Sequence, residues 1–271
     1  LGIPHATIQI TAWRPRFRDL MARSVEPLRR EHGLPDDAPA RLLGSTFFAT
    51  RPRSMRDPAA PLPEVTAELR PIADDRDPAS MAASPGPGAA DPAIADPFEG
   101  LAGDRPRVAV TLGTVFAEQR DVLRTLIDGA VATGGRVVVG LGSDPTGFGP
   151  VPASVALHAY LPMSTLLPNA DVVAFHGGAG TMAAAVATAR PMLVTPLGAD
   201  QPDNAADVVR AGVGRVLDPG ALTVQGVRDA LLALHTDTVI ARRAQALAAE
   251  LAAMPGPDAA VARLEVLARS G

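Results

Sequence analysis

The stretch that most constrains the fold is residues 171 to 204, DVVAFHGGAGTMAAAVATARPMLVTPLGADQPDN. Val172 to Phe175 is an apolar run with the length and β-branched content of a buried parallel strand. It empties into His176-Gly177-Gly178-Ala179-Gly180-Thr181, and a small-residue helix follows. Glycines let backbone N–H groups approach an anion closely, and a helix aims the positive end of its dipole at its own N-terminus. The turn therefore reads as a diphosphate-binding element, although glycines alone also serve an ordinary strand-to-helix turn. Three features favour the ligand. His176 stands at the strand's carboxyl end, where open α/β sheets place ligands. Thr181 offers a hydroxyl in the first helical turn, and the next strand, residues 192 to 195, ends in a loop carrying Asp200 and Gln201 at the same edge.

The ordered set Tyr160-Leu161-Pro162, Leu166-Leu167-Pro168, His176 to Thr181, Arg190-Pro191, Pro196, Asp200-Gln201 and Asn204-Ala205 resembles the donor-binding half of the family 1 nucleotide-sugar glycosyltransferases. Within that family it is most similar to bacterial enzymes that glycosylate macrolides, enediynes and other natural products. The resemblance implies a GT-B fold, with a Rossmann-like doubly wound parallel sheet in a C-terminal donor domain and a partial N-terminal α/β domain.

Composition narrows the alternatives. A chain of 271 residues with 47% hydrophobic content has room for one to two domains with a core. Cysteine is absent, so neither a disulfide nor a thiolate zinc site is available. A formal charge of -4 gives no electrostatic case for nucleic acid or an anionic membrane surface. No apolar run reaches the ~18 residues that span a bilayer, so a cytoplasmic protein is the expectation. The basic residues are all Arg, a sign of coding bias more than of chemistry.

Three regions follow from the pattern. Residues 1–72 read as the end of an acceptor-binding domain: a strand from His5 to Ile10, an amphipathic helix over 14–32 that Pro27 is expected to kink or break, an apolar run at 41–49, and then a proline-punctuated path. Residues 73–105 have linker composition. Residues 106–271 alternate strands (108–112, 136–141, 155–159, 172–175, 192–195, 214–217) with helices (118–133, 202–211, 223–234, 238–253), the pattern of a parallel doubly wound sheet. Pro255-Gly256-Pro257 precedes a last helix at 258–269, which the resemblance places back on the N-terminal domain. The same resemblance makes residues 1–72 a remnant, with roughly a hundred residues expected before them.

Site roles follow in the same way. Gly113 and Thr114 end a strand at the carboxyl edge and are candidates for the same phosphate, or for a plain turn. His176 is expected to donate a hydrogen bond to the diphosphate, with Gly178, Ala179, Gly180 and Thr181 supplying backbone amides and a hydroxyl; a core histidine is the alternative. The resemblance places Tyr160, with Leu161, against the donor's base, where the family usually carries Trp; a half-buried rim residue is the alternative. Asp200 and Gln201 are expected to read sugar hydroxyls, a carboxylate beside an amide offering both polarities, unless the loop is simply solvated. Ala184 stands where UDP-sugar enzymes of the family often carry a Glu that grips both ribose hydroxyls, which leans toward a dTDP-deoxysugar donor.

The resemblance implies inversion at the anomeric carbon by direct attack of the acceptor hydroxyl, assisted by a His general base. No catalytic residue is assigned: His5, His32, His158 and His235 match no such position. No metal and no cofactor are expected, the nucleoside diphosphate sugar being a co-substrate. Expected partners are that nucleotide sugar and a small-molecule aglycone, without nucleic acid or membrane; a homodimer is compatible with this reading. A non-catalytic auxiliary protein that partners a transferase is the alternative from another class, and a sugar-nucleotide epimerase of the same fold is a weaker one.

Overall fold

The computed structural model describes residues 4–33, 43–72, 95–114 and 118–269. Expectations for residues 1–3, 41–42, 73–94 and 270–271 lie outside them. By internal contacts the chain divides into two units, Leu1–Pro71 with Glu250–Gly271, and Ile72–Ala249.

The first unit is built on a parallel three-stranded sheet of β1 (Ala6–Gln9), β2 (Thr46–Ala49) and β3 (Thr66–Glu68), in that order. Alternation along β2 sends Phe47 and Phe48 to opposite faces. Phe47 packs with Leu43 and Ala49 and meets Trp13 edge-on at 5.2 Å, whereas Phe48 packs with Leu69 and Ala260. Helix α1 (Pro15–Glu31) follows β1 and runs unbroken through Pro27, against expectation. Pro27 and Arg23 both lie on the helix's exposed side, so the carbonyl that loses its N–H partner is left where water can serve it. The expected strand at 41–49 is confined to β2, and β3 appears within the proline-rich path that showed no strand pattern.

The second unit holds six parallel strands: β4 (Asp104–Thr111), β5 (Gly135–Gly140), β6 (Val155–His158), β7 (Val172–Phe175), β8 (Met192–Val194) and β9 (Gly214–Val216). Their spatial order is β6-β5-β4-β7-β8-β9. From β4 the chain winds outward through β5 and β6, then returns to β7 and winds the other way. The order thus reverses between β4 and β7, and ligands of open α/β sheets bind outside the carboxyl ends at such a switch point.

Four helices clothe this sheet: α2 (Arg120–Val131), α4 (Ala179–Ala187), α5 (Gln201–Ala211) and α6 (Val224–Thr236). Leu123, Leu126, Ile127 and Ala130 recur at helical spacing on α2 and join Val227, Leu231 and Leu234 of α6 against alternate residues of β4, β5 and β7. Each such Leu, Ile or Val side chain contributes roughly 1.5–3 kcal/mol on full burial. A methyl group at Gly129 would collide with Val227, so these two helices depend on a bare α-carbon at their crossing. At the amino edge, Asp171 accepts from Arg105 at 2.6 Å and from the Arg107 N–H at 2.9 Å, pinning β7 to β4.

The linker reading needs correction at its end. Phe98 is fully buried, Arg107 lies over its ring, and the Ala102 N–H donates to the Ala153 carbonyl, so residues 95–103 pack on the second unit before β4 begins at Asp104. One buried aromatic outweighs the Ala/Pro/Gly composition around it. A single-turn helix, α3 (Met163–Leu166), also went unforeseen. Two further helices complete the chain, α7 (Thr238–Ala253) and α8 (Pro257–Arg269). Residues from Glu250 onward belong to the first unit, where Ser54 donates to Glu250, Arg70 to the Ala252 carbonyl, and Arg263 to Thr46.

Among the described residues no helix is long and apolar enough to cross a membrane.

Candidate functional site

A cavity of about 350 Å³ opens at the carboxyl edge of the second sheet, on the switch point. Three chain segments converge on it. The end of β4 brings Thr111, Gly113 and Thr114; the first turns of α4 bring Gly180, Thr181 and Ala184; and the segment after β6 brings Ala159, Tyr160, Leu161 and Met163. Gly140 and Gly142, at and just past the end of β5, complete the floor.

The local reasons are legible. Gly178 takes the extended conformation at the N-cap of α4 and supplies no capping side chain, so first-turn amides that helix geometry leaves without intrahelical partners face the sheet edge. Gly180 has open space where a side chain would stand, and that space belongs to the cavity. Tyr160 is 36% exposed at the rim, with Leu161 buried behind it. Ala184 is 4% exposed and gives the wall an apolar methyl.

His176 lies just beneath this surface, 9% exposed, at the end of β7. Its ring is held between two glycines. A methyl group at Gly113 would stand 3.0 Å from Cε1, and one at Gly178 would stand 2.5 Å from Nε2. Gly113 also has a positive φ of 67°, so two constraints fix its identity. The role expected for Gly178 is thereby extended, since its bare α-carbon is what makes room for the imidazole. Burial pushes the His176 imidazole below its ordinary value, and a hydrogen bond with the Thr111 backbone and the Asp200 charge oppose that shift.

The β8 loop is arranged differently. Asp200 is half-exposed and accepts from Asn204 Nδ2 at 2.8 Å; the same amide donates to the Gly177 carbonyl at 2.8 Å, tying the two carboxyl-end loops together. Gln201 is 2% exposed, and its Oε1 accepts from the Leu197 N–H at 2.6 Å and the Gly198 N–H at 3.1 Å. The Gln201 oxygen thus braces the loop it sits in. Neither Asp200 nor Gln201 lines the cavity, and nor does Ala179.

Six of the expected residues, Gly113, Thr114, Tyr160, Leu161, Gly180 and Thr181, share the cavity wall. Thr111, Gly140, Gly142 and Met163 were missed. Thr111 and Gly140 are the last residues of adjacent strands, a position that marks a switch-point floor once strand order is known, but order is not readable from one sequence. Asn204 was noted only as part of a pattern, and its bridging role depends on geometry.

The chain is 33% identical over 172 residues to the 10-deoxymethynolide desosaminyltransferase of Streptomyces venezuelae, an alignment covering 60% of this chain and 40% of that protein. The chain thus spans about two fifths of that relative's length. Among solved structures it resembles the glycosyltransferase of kitacinnamycin, with a TM-score of 0.75 and 24% identity over 98% of this chain and 70% of the other. It also resembles the glycosyltransferase VinC in complex with DTDP, with a TM-score of 0.70 and 24% identity over 94% and 59%. These likenesses establish the GT-B fold. The profile of the erythromycin biosynthesis protein CIII-like C-terminal domain matches residues 124–267, more than half of the chain, and the chain belongs to that family.

Proposed function

We propose that the second unit binds a nucleoside diphosphate sugar and serves as the donor-binding part of a glycosyltransferase that acts on a hydroxyl of a natural-product aglycone with inversion. The observation that carries this reading is the cavity at the switch point, where the amides of a helix N-terminus, two strand-end loops and an exposed tyrosine converge. The diphosphate is assigned to the first-turn amides of α4, the Thr181 hydroxyl and the Gly113-Thr114 loop, with His176 behind them. Fixed N–H dipoles and a hydrogen-bonding imidazole can balance the leaving-group charge without a metal ion. The base is assigned to Tyr160, whose face can stack, worth about 1–3 kcal/mol. Asp200 is the member of the acidic–amide pair left to meet sugar hydroxyls.

Ala184 supports a thymidine donor. Its methyl occupies the wall where a carboxylate would hold two ribose hydroxyls, and a 2′-deoxyribose gives up little by that loss. No histidine of this chain is assigned as the general base.

Calorimetric titration with dTDP and UDP in parallel, with and without Mg²⁺, tests the reading. The expected result is dTDP binding at least as tight as UDP and indifferent to Mg²⁺, weakened in His176→Ala. Tighter UDP binding overturns the thymidine assignment, and a folded chain that binds neither overturns the donor-site reading.

A further inference from the structure

We infer that Gly142 is a positioning residue of the nucleotide site: its bare α-carbon seats the loop after β5 against the Gly113-Thr114 loop and so holds the Thr114 hydroxyl at the diphosphate. This rests on the nucleotide reading above. Thr114 is the member of its loop left to donate, because the Gly113 N–H is already given to Thr111 Oγ1 at 3.0 Å. It stands at the cavity wall beyond the end of β4, outside the strand ladder that fixes Thr111. What fixes its place is close packing. A methyl group at Gly142 would collide with the Gly113 carbonyl oxygen and stand 3.0 Å from the Thr114 α-carbon. Both neighbours are backbone, which cannot swing aside as the end of a side chain can. Gly142 also has a φ of 69°, a conformation that favours glycine.

The fold brings Gly142 to this contact. β5 lies beside β4 in parallel with Gly140 opposite Thr111, so the two chains leave the sheet side by side. Leu141 turns into the core, while Gly140 and Gly142 on either side of it line the cavity. The Leu141 N–H donates to the His158 carbonyl at 2.9 Å, which ties the loop to β6. Hydrogen bonds to charged oxygens are among the stronger ones, and they weaken steeply as the donor's distance and angle change. Displacing Thr114 therefore acts on the diphosphate and not on the nucleoside.

The test compares dTDP with thymidine, which carries no phosphate, by calorimetric titration, thymidine being measured by displacement of dTDP. Gly142→Ala should bind dTDP about tenfold more weakly and keep its thymidine affinity. Thr114→Val, which removes the hydroxyl, should weaken dTDP binding in the same selective way. The double variant should bind dTDP no more weakly than Gly142→Ala alone, because Gly142 acts through Thr114. Gly134→Ala is the control: Gly134 has a φ of 78° with open space around it and precedes β5 at the opposite edge of the sheet. It should lose stability from the same backbone strain and keep its dTDP affinity. Hydrogen exchange on the wild-type chain needs no folded variant: dTDP should slow the Thr114 and Gly142 amides together. Equal losses of dTDP and thymidine affinity in Gly142→Ala overturn the inference while sparing the nucleotide site. So do additive losses in the double variant, an unweakened Thr114→Val, a matching dTDP loss in Gly134→Ala, or a Thr114 amide slowed without Gly142. A folded wild-type chain that binds no dTDP overturns the nucleotide reading and the role of Gly142 with it.

Discussion

The two loops at the switch point carry similar sequence signals and do different work. The turn after β7 leaves its amides and Thr181 toward the cavity, with Gly178, opposite Gly113, making room for an imidazole beneath. The loop after β8 turns its polar groups inward: Gln201 braces two of its own amides, and Asn204 joins Asp200 to the Gly177 carbonyl. One loop presents polarity and the other uses polarity to hold the first in place. A polar residue at a carboxyl edge is therefore a site candidate only after its hydrogen bonds have been counted.

The sharpest way to break this contrast is Gly178→Ala. A methyl group 2.5 Å from His176 Nε2 must displace the ring or the turn, at a cost of about 1–3 kcal/mol, and dTDP binding should fall below detection. Urea unfolding and titration of the same sample check both. A variant of native stability and affinity would show that the clamp does not fix the imidazole.

Gln201→Ala should lower stability by about 1–3 kcal/mol by leaving the Leu197 and Gly198 amides without their acceptor, with a smaller effect on dTDP affinity. The opposite split, stability kept and dTDP-sugar affinity lost, would return Gln201 to ligand recognition. Tyr160→Ala should cost about 1–3 kcal/mol of dTDP affinity and leave the unfolding midpoint in place, whereas Tyr160→Phe keeps the stacking face and should keep most of the affinity. Equal losses in the two variants would assign the effect to the hydroxyl. Thr181→Val should weaken dTDP binding by about 0.5–1.5 kcal/mol with no loss of stability.

The smallest effect is the pH dependence of the empty protein. His176 and His158 titrate below their ordinary value in the folded state. The unfolded chain thus binds more protons below the ordinary imidazole value of 6.5, and stability should fall as pH falls through and below that value. Thermal melts across this range should show a shallower fall in His176→Gln.

Much of the second unit was legible because buried parallel strands announce themselves: Val172 to Phe175 and Met192 to Val194 are apolar throughout, the first opening into glycines one residue past its end and the second following Pro191. The switch-point turn was legible for the same reason, since strand, glycines and small-residue helix occur in one contiguous run. What escaped depends on contacts between distant residues. Phe98 sits in linker-like sequence, yet one buried ring anchors its segment. β3 lies among prolines, and only pairing with β2 makes it a strand. Gln201 carries the same letter whether it faces a ligand or two backbone amides. Pro27 is tolerated because α1 shows that side to water.

The most direct test of a nucleotide held at the β4/β7 switch point is a crystal structure of the chain grown with dTDP. The expected result is diphosphate density against the amides of Ala179 to Thr181 and the Gly113-Thr114 loop, with the thymine ring on Tyr160. Nucleotide density elsewhere in the molecule, with this cavity occupied only by solvent at saturating dTDP, would contradict it.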